Sequence, residues 1–221
     1  MPKQLTAEKT RQRRPQERAQ VTRRKLLDVA IREFSQRGYD AVTVREIETL
    51  AGVQRNLLSY HFGSKEGMWK AAASHTLTQL QEFGEAREEV VRDLSARERV
   101  AYVLRSYVRF SASHPEFHRL MIQEGKLDSW RIEWLVDEFL GPAMNRLRKY
   151  LAVDLELNKQ DEFVHWYYMF AGGGALMFSM APEAKRLFDI DVDDEEVIDR
   201  HASMMVDFLL TRSGRGRIAE D

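Results

Sequence analysis

Helix signals run through this sequence from about residue 20 to its end. Apolar residues recur three and four positions apart, as on one face of a helix. Two capping boxes, Thr43-Val-Arg-Glu46 and Ser95-Ala-Arg-Glu98, mark helix starts, because the hydroxyl and the carboxylate each satisfy a backbone N–H. No stretch alternates apolar and polar residues as a strand does. The sequence therefore predicts an all-α fold, in which the first helix runs from about residue 20 to Gly38.

The composition narrows the class of protein. Hydrophobic residues make up 43% of the 221 residues and charged residues 31%, which is typical of a soluble globular chain. There is no cysteine, so a disulfide framework and thiolate chemistry are excluded and a reducing compartment is indicated. The first 25 residues contain no apolar signal segment. We expect a cytoplasmic protein.

Residues 163–181 form an uncharged stretch that raises the question of a membrane span. The stretch contains one histidine, two tyrosines and three consecutive glycines, which make it a poor sequence for insertion into a bilayer. A helix that is apolar all round is more often buried within a protein. The sequence therefore predicts a buried helix here and no membrane partner.

Charge is divided unevenly along the chain. Residues 1–70 hold 15 Lys and Arg against 8 Asp and Glu, a balance of +7, whereas the remainder carries −8. Residues 1–19 are basic and almost without apolar side chains, so we expect a flexible basic arm. A basic end on an otherwise acidic chain indicates a polyanionic partner such as DNA.

The segment after the first helix has the pattern of a helix-turn-helix. A second helix is predicted from about 44 to 51, Gly52 permits a tight turn, and Leu58 and Phe62 lie four apart on the inner side of a short third helix. Most of the other side chains of that segment are polar: Gln54, Arg55, Asn56, Ser59, Tyr60 and His61. In a helix-turn-helix the second of the two helices enters the major groove of duplex DNA.

Residues 22–70 resemble the DNA-binding domain of the tetracycline-repressor (TetR) family. The segments "FSQRGYDAVTVREI" and "AGVQRNLLSYHFGSKEGM" are similar to the family's helix one ending and to its A-G-V-S-x-G-x-x-Y-x-Y-F-x-S-K-E pattern. The resemblance implies a three-helix DNA-binding domain at 20–66 and a ligand-sensing and dimerisation domain of about nine helices at 67–221. Gln54, Asn56, Leu57 and Ser59 depart from the usual hydroxyl residue, glycine, threonine and aromatic residue, so the operator sequence is expected to be unusual.

Eight residues are candidates for DNA contact: Thr43, Gln54, Arg55, Asn56, Leu57, Tyr60, His61 and Lys65. The amides of Gln54 and Asn56 suit adenine edges, and the cations of Arg55 and Lys65 suit guanine or phosphate. Leu57 either touches a thymine methyl group or packs beneath helix one.

Four of these candidates are assigned to the DNA backbone, and Lys65 is one of them because its position in the family motif favours phosphate. Tyr60 and His61 resemble the family's phosphate-contacting pair, with packing inside the small domain as the alternative. Thr43 lies at the N-terminus of helix two, where it can meet a phosphate.

The middle helices are rich in aromatic and thioether side chains. The resemblance implies an apolar cavity for a small apolar or aromatic effector, whereas plain core packing is the alternative for each residue. The candidates are Tyr102, Tyr107, Phe110, Phe117, Met121, Glu124, Trp134 and Tyr167. Glu124 continues an inward face, so it either meets the effector or pairs with an internal arginine such as Arg105 or Arg109.

The last two helices are similar in placement to those through which the family forms dimers. Gly172, Gly173 and Gly174 remove side chains and so permit close helix packing. The interface candidates are Phe170, Gly173, Met177, Met204 and Phe208. A homodimer also suits DNA binding, because two recognition helices reach half-sites about one DNA turn apart.

Together these features predict a dimeric transcriptional repressor that binds a palindromic operator and is released from it by a small-molecule ligand. An activator of the same fold and a helical protein-interaction module without DNA binding are the alternatives. We find no nucleophile motif, glycine-rich phosphate loop or metal-ligand cluster in the sequence. An enzyme, a cofactor and a metal site are therefore not expected.

Overall fold

The structure is a computed structural model that describes residues 3–155 and 160–213, without the side chains of residues 3–15, 85–89, 149–150, 152–154, 160 and 211–213. Every regular element in these ranges is a helix, which confirms the predicted all-α class. Two compact units meet between Thr76 and Leu77, within one long helix. The predicted domain boundary after residue 66 stays a prediction.

The first unit contains three helices and the start of a fourth. They are α1 (Lys3–Arg37), α2 (Val44–Leu50), α3 (Leu57–Phe62) and the beginning of α4 (Lys65–Arg92). Both hydrogen bonds of the capping box predicted at Thr43 are present. Fully buried side chains from all four helices form the core: Leu26, Ala30, Phe34, Ile47, Leu58, Met68 and Trp69. This core fixes α2 and α3 against α1.

Helix α1 begins earlier than the sequence predicts. Residues 3–19, predicted as a flexible basic arm, continue directly into residues 20–37 as one helix. The side chains of the first five basic residues lie outside the described part of the chain, and Arg18 is exposed. The mobility of the arm stays a prediction.

The second unit consists of the rest of α4 and seven further α-helices. They are α5 (Ala96–Ser113), α6 (Pro115–Gly125), α7 (Trp130–Leu135), α8 (Gly141–Asp154), α9 (Gln160–Ser179), α10 (Ala181–Phe188) and α11 (Glu195–Ser213). The capping box predicted at Ser95 is present at the start of α5. Helix α10 was not expected from the sequence; it opens with Pro182 in its first turn, where the missing N–H costs no hydrogen bond.

A π-helical turn, Val136–Leu140, connects α7 to α8 directly before Gly141 and Pro142. Pro142 has no N–H to donate to an α-helical partner. The N–H of Gly141 donates to the carbonyl of Val136, five residues earlier. A Cβ at Gly141 would lie 2.9 Å from that carbonyl oxygen, so the wider turn requires glycine.

Helix α5 packs closely against α9 in the core of the second unit. The Tyr107 ring lies 4.3 Å from the Phe170 ring, centroid to centroid, and its hydroxyl donates to the carbonyl of Ala171 at 3.3 Å. A Cβ at Gly174 would come within 2.8 Å of the Tyr107 ring. Glycine at 174 therefore permits the approach of the two helices.

We expect Gly174→Ala to destabilise the fold by about 1–3 kcal/mol, because the added methyl overlaps a ring that Phe170 and Ala171 hold in place. Gly173→Ala is the matched control. Its Cβ would meet only the flexible thioether of Met205, at 3.1 Å, and alanine gains about 1 kcal/mol of helix propensity. Urea unfolding measures both free energies. Equal costs for the two variants would contradict this account of Gly174.

None of the helices in the described ranges is both long enough and apolar enough to cross a membrane. This finding includes the described part of the uncharged stretch at 163–181. Its helix, α9, instead buries Trp166, Phe170 and Phe178 in the second unit.

Candidate nucleic-acid interface

The connection between α2 and α3 is a tight turn of residues 51–56. Gly52 (φ 63°) and Asn56 (φ 69°) both have the left-handed backbone conformation, which glycine and asparagine adopt more readily than most residues. The N–H of Val53 donates to the carbonyl of Glu48 at 3.1 Å. The short α3 therefore follows α2 in a helix-turn-helix arrangement.

The inner side of α3 packs against the rest of the first unit. Leu58 is fully buried and Phe62 is half-buried, as their spacing predicts. The guanidinium of Arg23, on α1, lies 4.9 Å from the centroid of the Phe62 ring. Leu57 is half-buried, so its side chain both packs inward and keeps surface with which to contact a thymine methyl group.

The outer surface of α3 and of the turn before it is polar and open to solvent. We use the term outer surface for Gln54, Arg55, Asn56, Ser59 and Tyr60, all of which are exposed. The Tyr60 side chain is the extreme case, at 78% exposure. His61 is half-buried beside it, with the two ring centroids 5.0 Å apart. These side chains are placed to meet a partner and not the core.

Asn56 occupies the N-cap position of α3 but does not perform the usual capping role. An N-cap asparagine commonly accepts a hydrogen bond from the first turn of its helix through its side chain. Here the Asn56 side chain makes no such bond. The N–H of Leu58 instead donates to Oε1 of Glu48, at 3.0 Å. Glu48 was not identified from the sequence, in which it looks like an ordinary polar residue of α2.

Thr43 lies at the N-terminus of α2 within a hydrogen-bond network. Its Oγ1 accepts from the N–H of Glu46 at 3.2 Å, and its own N–H and hydroxyl both donate to Oε2 of Glu46 at 2.7 Å. Arg37 donates to Oε1 of Glu46 at 3.1 Å, to Glu33 at 3.2 Å and to the carbonyl of Ala41 at 2.8 Å. This network connects the end of α1 to the start of α2 and fixes the exposed Thr43 there.

The network makes the stability of the first unit sensitive to acid. Hydrogen bonds from the Thr43 hydroxyl and N–H, followed by Arg37, lower the pKa of Glu46 from its ordinary 4.5 to about 2. A lowered pKa in the folded state contributes stability that is present above pH 4.5 and is lost as the pH falls toward 2.

We expect wild-type protein to lose stability more steeply than the Glu46→Gln variant as the pH falls from 4.5 toward 2. The amide cannot titrate, so the variant lacks this contribution at every pH. Urea midpoints measured from pH 7 to pH 3 test the difference. Parallel curves for the two proteins would exclude Glu46 as the source of the acid sensitivity.

Lys65, at the first position of α4, is half-buried. Its ammonium lies 4.2 Å from the centroid of the Tyr39 ring, and that ring is itself stacked on Phe34 with centroids 5.9 Å apart. Contact with an aromatic face holds a cation in place. The predicted phosphate-contacting charge is therefore fixed on the body of the unit.

The predicted effector-contacting residues lie in the second unit at two levels of burial. Phe110, Phe117 and Glu124 are buried, whereas Tyr102, Tyr107, Met121, Trp134 and Tyr167 are half-buried. Burial raises the pKa values of the Tyr107 and Tyr167 phenols, so both remain neutral hydrogen-bonding groups at physiological pH. In the part of the chain that is described, no group of three acidic or histidine side chains could hold a metal ion.

Glu124 pairs with an internal arginine, but not with either of the two named from the sequence. Its Oε2 accepts from Nε of Arg131 at 2.6 Å, and both side chains are almost fully buried. Arg105 instead donates to Ser203, and Arg109 to Glu195 and Asp199. Arg105 and Arg109 lie on the exposed face of α5 beside α11, whereas Arg131 lies in the first turn of α7, which follows α6.

The predicted dimer residues are distributed between the core and the surface. Phe170 is buried in the core of its own chain, Met177 is half-buried, and Gly173 lies against Met205. Met204 and Phe208 are exposed on α11.

Helix α9 adds exposed apolar residues that the sequence did not single out. Tyr168, Met169 and Leu176 are exposed at helical spacing. We call these three residues, with Met204 and Phe208, the apolar surface. The helices that carry it, α9 and α11, are joined by a 2.7 Å contact between His201 Nε2 and the carbonyl of Gly173.

These features define the class of the protein: a helix-turn-helix domain, with an exposed second helix, followed by a larger helical unit. Residues 26–72 match the sequence profile of the family described as "Bacterial regulatory proteins, tetR family". The match covers the helix-turn-helix domain, from α1 to the beginning of α4.

Curated relatives match over part of the chain. The "HTH-type transcriptional repressor KstR2" of Rhodococcus jostii is 41% identical over 42% of this chain and 45% of its own length. The repressor NicS of Pseudomonas putida is 31% identical over 49% of this chain and 50% of its own length. The regulator BetI of Brucella anthropi is 38% identical over 42% of this chain and 46% of its own length. The chain thus spans about half the length of the curated relatives it matches.

Solved structures resemble the chain over most of its length. A TetR-like transcriptional regulator from Rhodococcus sp. RHA1 superposes with a TM-score of 0.63 at 17% identity, over 88% of this chain and 97% of the other. The fatty acid degradation regulator FadR from Bacillus halodurans superposes with a TM-score of 0.59 at 13% identity, over 84% of this chain and 94% of the other. At these identities the likeness shows the fold alone.

Proposed function

We propose that this protein is a transcriptional repressor that binds duplex DNA by inserting α3 into the major groove. The observation that carries the proposal is the outer surface of α3, which presents amide, guanidinium and phenol groups to solvent while Leu58 fixes the helix from behind. In this arrangement Gln54 and Asn56 contact adenine edges, and Arg55 contacts guanine or phosphate.

The remaining candidates act on the sugar-phosphate backbone. Tyr60 on the outer surface, together with Thr43, His61 and Lys65, would set the register of α3 in the groove without reading bases. The positive balance of residues 1–70 supplies the sequence-independent part of the affinity. Two of the relatives are named repressors, and this favours repression over activation.

Dimerisation is the second part of the proposal. A single six-residue helix reads only a few base pairs, and two copies read half-sites about one DNA turn apart. The apolar surface on α9 and α11 offers a self-complementary face for a two-fold dimer. The operator is therefore expected to be an inverted repeat.

Regulation by a small molecule is the third part. An apolar or aromatic effector would bind among the half-buried aromatic residues of the second unit and would favour a state with weaker DNA binding, with about 1–3 kcal/mol of coupling. A compound that binds among these aromatic residues should lower the operator affinity, and by reciprocity bound operator should weaken the binding of that compound by the same factor. A compound that binds there without changing the operator affinity would contradict this part alone.

DNA binding is tested by enriching duplexes from a random pool and titrating the best one against a scrambled duplex at physiological salt. The proposal predicts that the enriched duplex binds at least about 1,000-fold more tightly. It also predicts an affinity that falls steeply with salt. Equal binding of both duplexes would contradict the proposal and would favour a protein-interaction module.

A further inference from the structure

We infer that Glu48 is the residue that positions the recognition helix, and that by doing so it leaves the Asn56 amide available for DNA. This inference rests on the proposed function and extends it to a residue of α2 that does not itself face the groove. The Glu48 side chain is 5% exposed, so it is placed for an internal role.

Glu48 holds both ends of the turn between α2 and α3. Its backbone carbonyl accepts from the N–H of Val53 at 3.1 Å, at the end of α2. Its carboxylate Oε1 accepts from the N–H of Leu58 at 3.0 Å, in the first turn of α3. One residue thereby fixes where α2 stops and where α3 begins.

The hydrogen bond to Leu58 is favoured by its surroundings. Leu58 is fully buried, so its N–H would otherwise lose contact with water without gaining a partner. A carboxylate that is buried must likewise be hydrogen-bonded, and a charged acceptor makes a stronger bond than a neutral one. Each group satisfies the other.

The consequence for DNA reading lies at Asn56. Glu48 accepts from the N–H of Leu58, one of the amides that an N-cap side chain commonly bonds, and the Asn56 side chain makes no capping bond. Asn56 has a left-handed backbone conformation, φ 69°, and its side chain is exposed at the start of α3. Reading a base edge through two hydrogen bonds requires the amide to be held to within about 0.5 Å, so the position of α3 matters.

Two substitutions of Glu48 separate the acceptor from the charge. Glu48→Met and Glu48→Gln both remove the negative charge and keep a side chain of similar length, but only glutamine retains an oxygen that can accept from Leu58. Two quantities are measured for wild type and both variants: the affinity ratio of the enriched to the scrambled duplex, and the hydrogen-exchange rate of the Leu58 amide.

We expect Glu48→Gln to stay within about threefold of wild type in the affinity ratio and to keep a protected Leu58 amide. Glu48→Met should lower the ratio about tenfold, leave binding to the scrambled duplex unchanged, and accelerate exchange at Leu58. Loss of the first unit's helical circular dichroism in Glu48→Met alone would support the same assignment, because the acceptor is the difference between the variants.

The inference is overturned if Glu48→Met keeps the wild-type ratio and a protected Leu58 amide, or if Glu48→Gln is as impaired as Glu48→Met. Failure of the proposed function has a different signature. In that case wild-type protein shows no preference for any duplex, while exchange at Leu58 still decides whether Glu48 fixes α3.

Discussion

Replacing Asn56 with glycine is expected to weaken binding to the preferred operator by about 1–3 kcal/mol and to relax the preference at one base position. The reason is that the exposed Asn56 amide can make two hydrogen bonds to an adenine edge and has no capping role on α3. Titrating the variant against all single-base substitutions of one half-site measures both effects.

Glycine is the appropriate replacement because of the backbone at this position. Asn56 has φ 69°, where alanine is strained by about 1–2 kcal/mol, so Asn56→Ala would mix a loss of contact with a loss of stability. Glycine removes the amide and tolerates the conformation. A loss of affinity that is the same for every base at every position of the half-site would exclude a base-reading role for Asn56.

Introducing a charge at Phe208 is expected to separate the dimer into monomers. The side chain is 68% exposed on α11 and belongs to the apolar surface. A symmetric interface contains two copies, so Phe208→Glu would bury two unpaired carboxylates in place of two rings. We expect the dimer dissociation constant to rise by more than about 100-fold, corresponding to about 3 kcal/mol.

Sedimentation equilibrium over a range of concentrations measures this change. Ile122→Glu is the matched control, because Ile122 is an exposed apolar residue of the same unit, at 41% exposure, outside the apolar surface. Operator affinity should fall with the loss of the dimer in Phe208→Glu and remain near wild type in Ile122→Glu. A Phe208→Glu protein that stays dimeric would place the interface elsewhere.

Much of the fold could be predicted because its signals are local. Both capping boxes form between residues three apart in sequence, so the residue types alone specify them. The ends of long helices were less predictable. Helix α4 continues to Arg92 because the helix propensity of residues 85–92 is high. These residues are mostly charged and carry no apolar repeat, so the sequence does not mark where the helix ends.

The exposed residues of the candidate interface could be predicted from the sequence, but the buried residue that positions them could not. Leu58 and Phe62 share a face by spacing alone, and so the outward position of Tyr60 follows. Glu48 could not be identified, because its partner is an N–H ten residues away whose position depends on the turn. The same limit applies to Glu124, whose choice of Arg131 over Arg105 or Arg109 depends on how α5, α6 and α7 pack.

The central claim, that the outer surface of α3 enters the major groove, is tested most directly by methylation interference on the enriched duplex. Methylation of guanine at N7 modifies the major groove, whereas methylation of adenine at N3 modifies the minor groove. The account predicts interference from guanine N7 in two half-sites about one helical turn apart, and its loss at one base position per half-site in Arg55→Ala. Interference confined to adenine N3, or none at all, would contradict it.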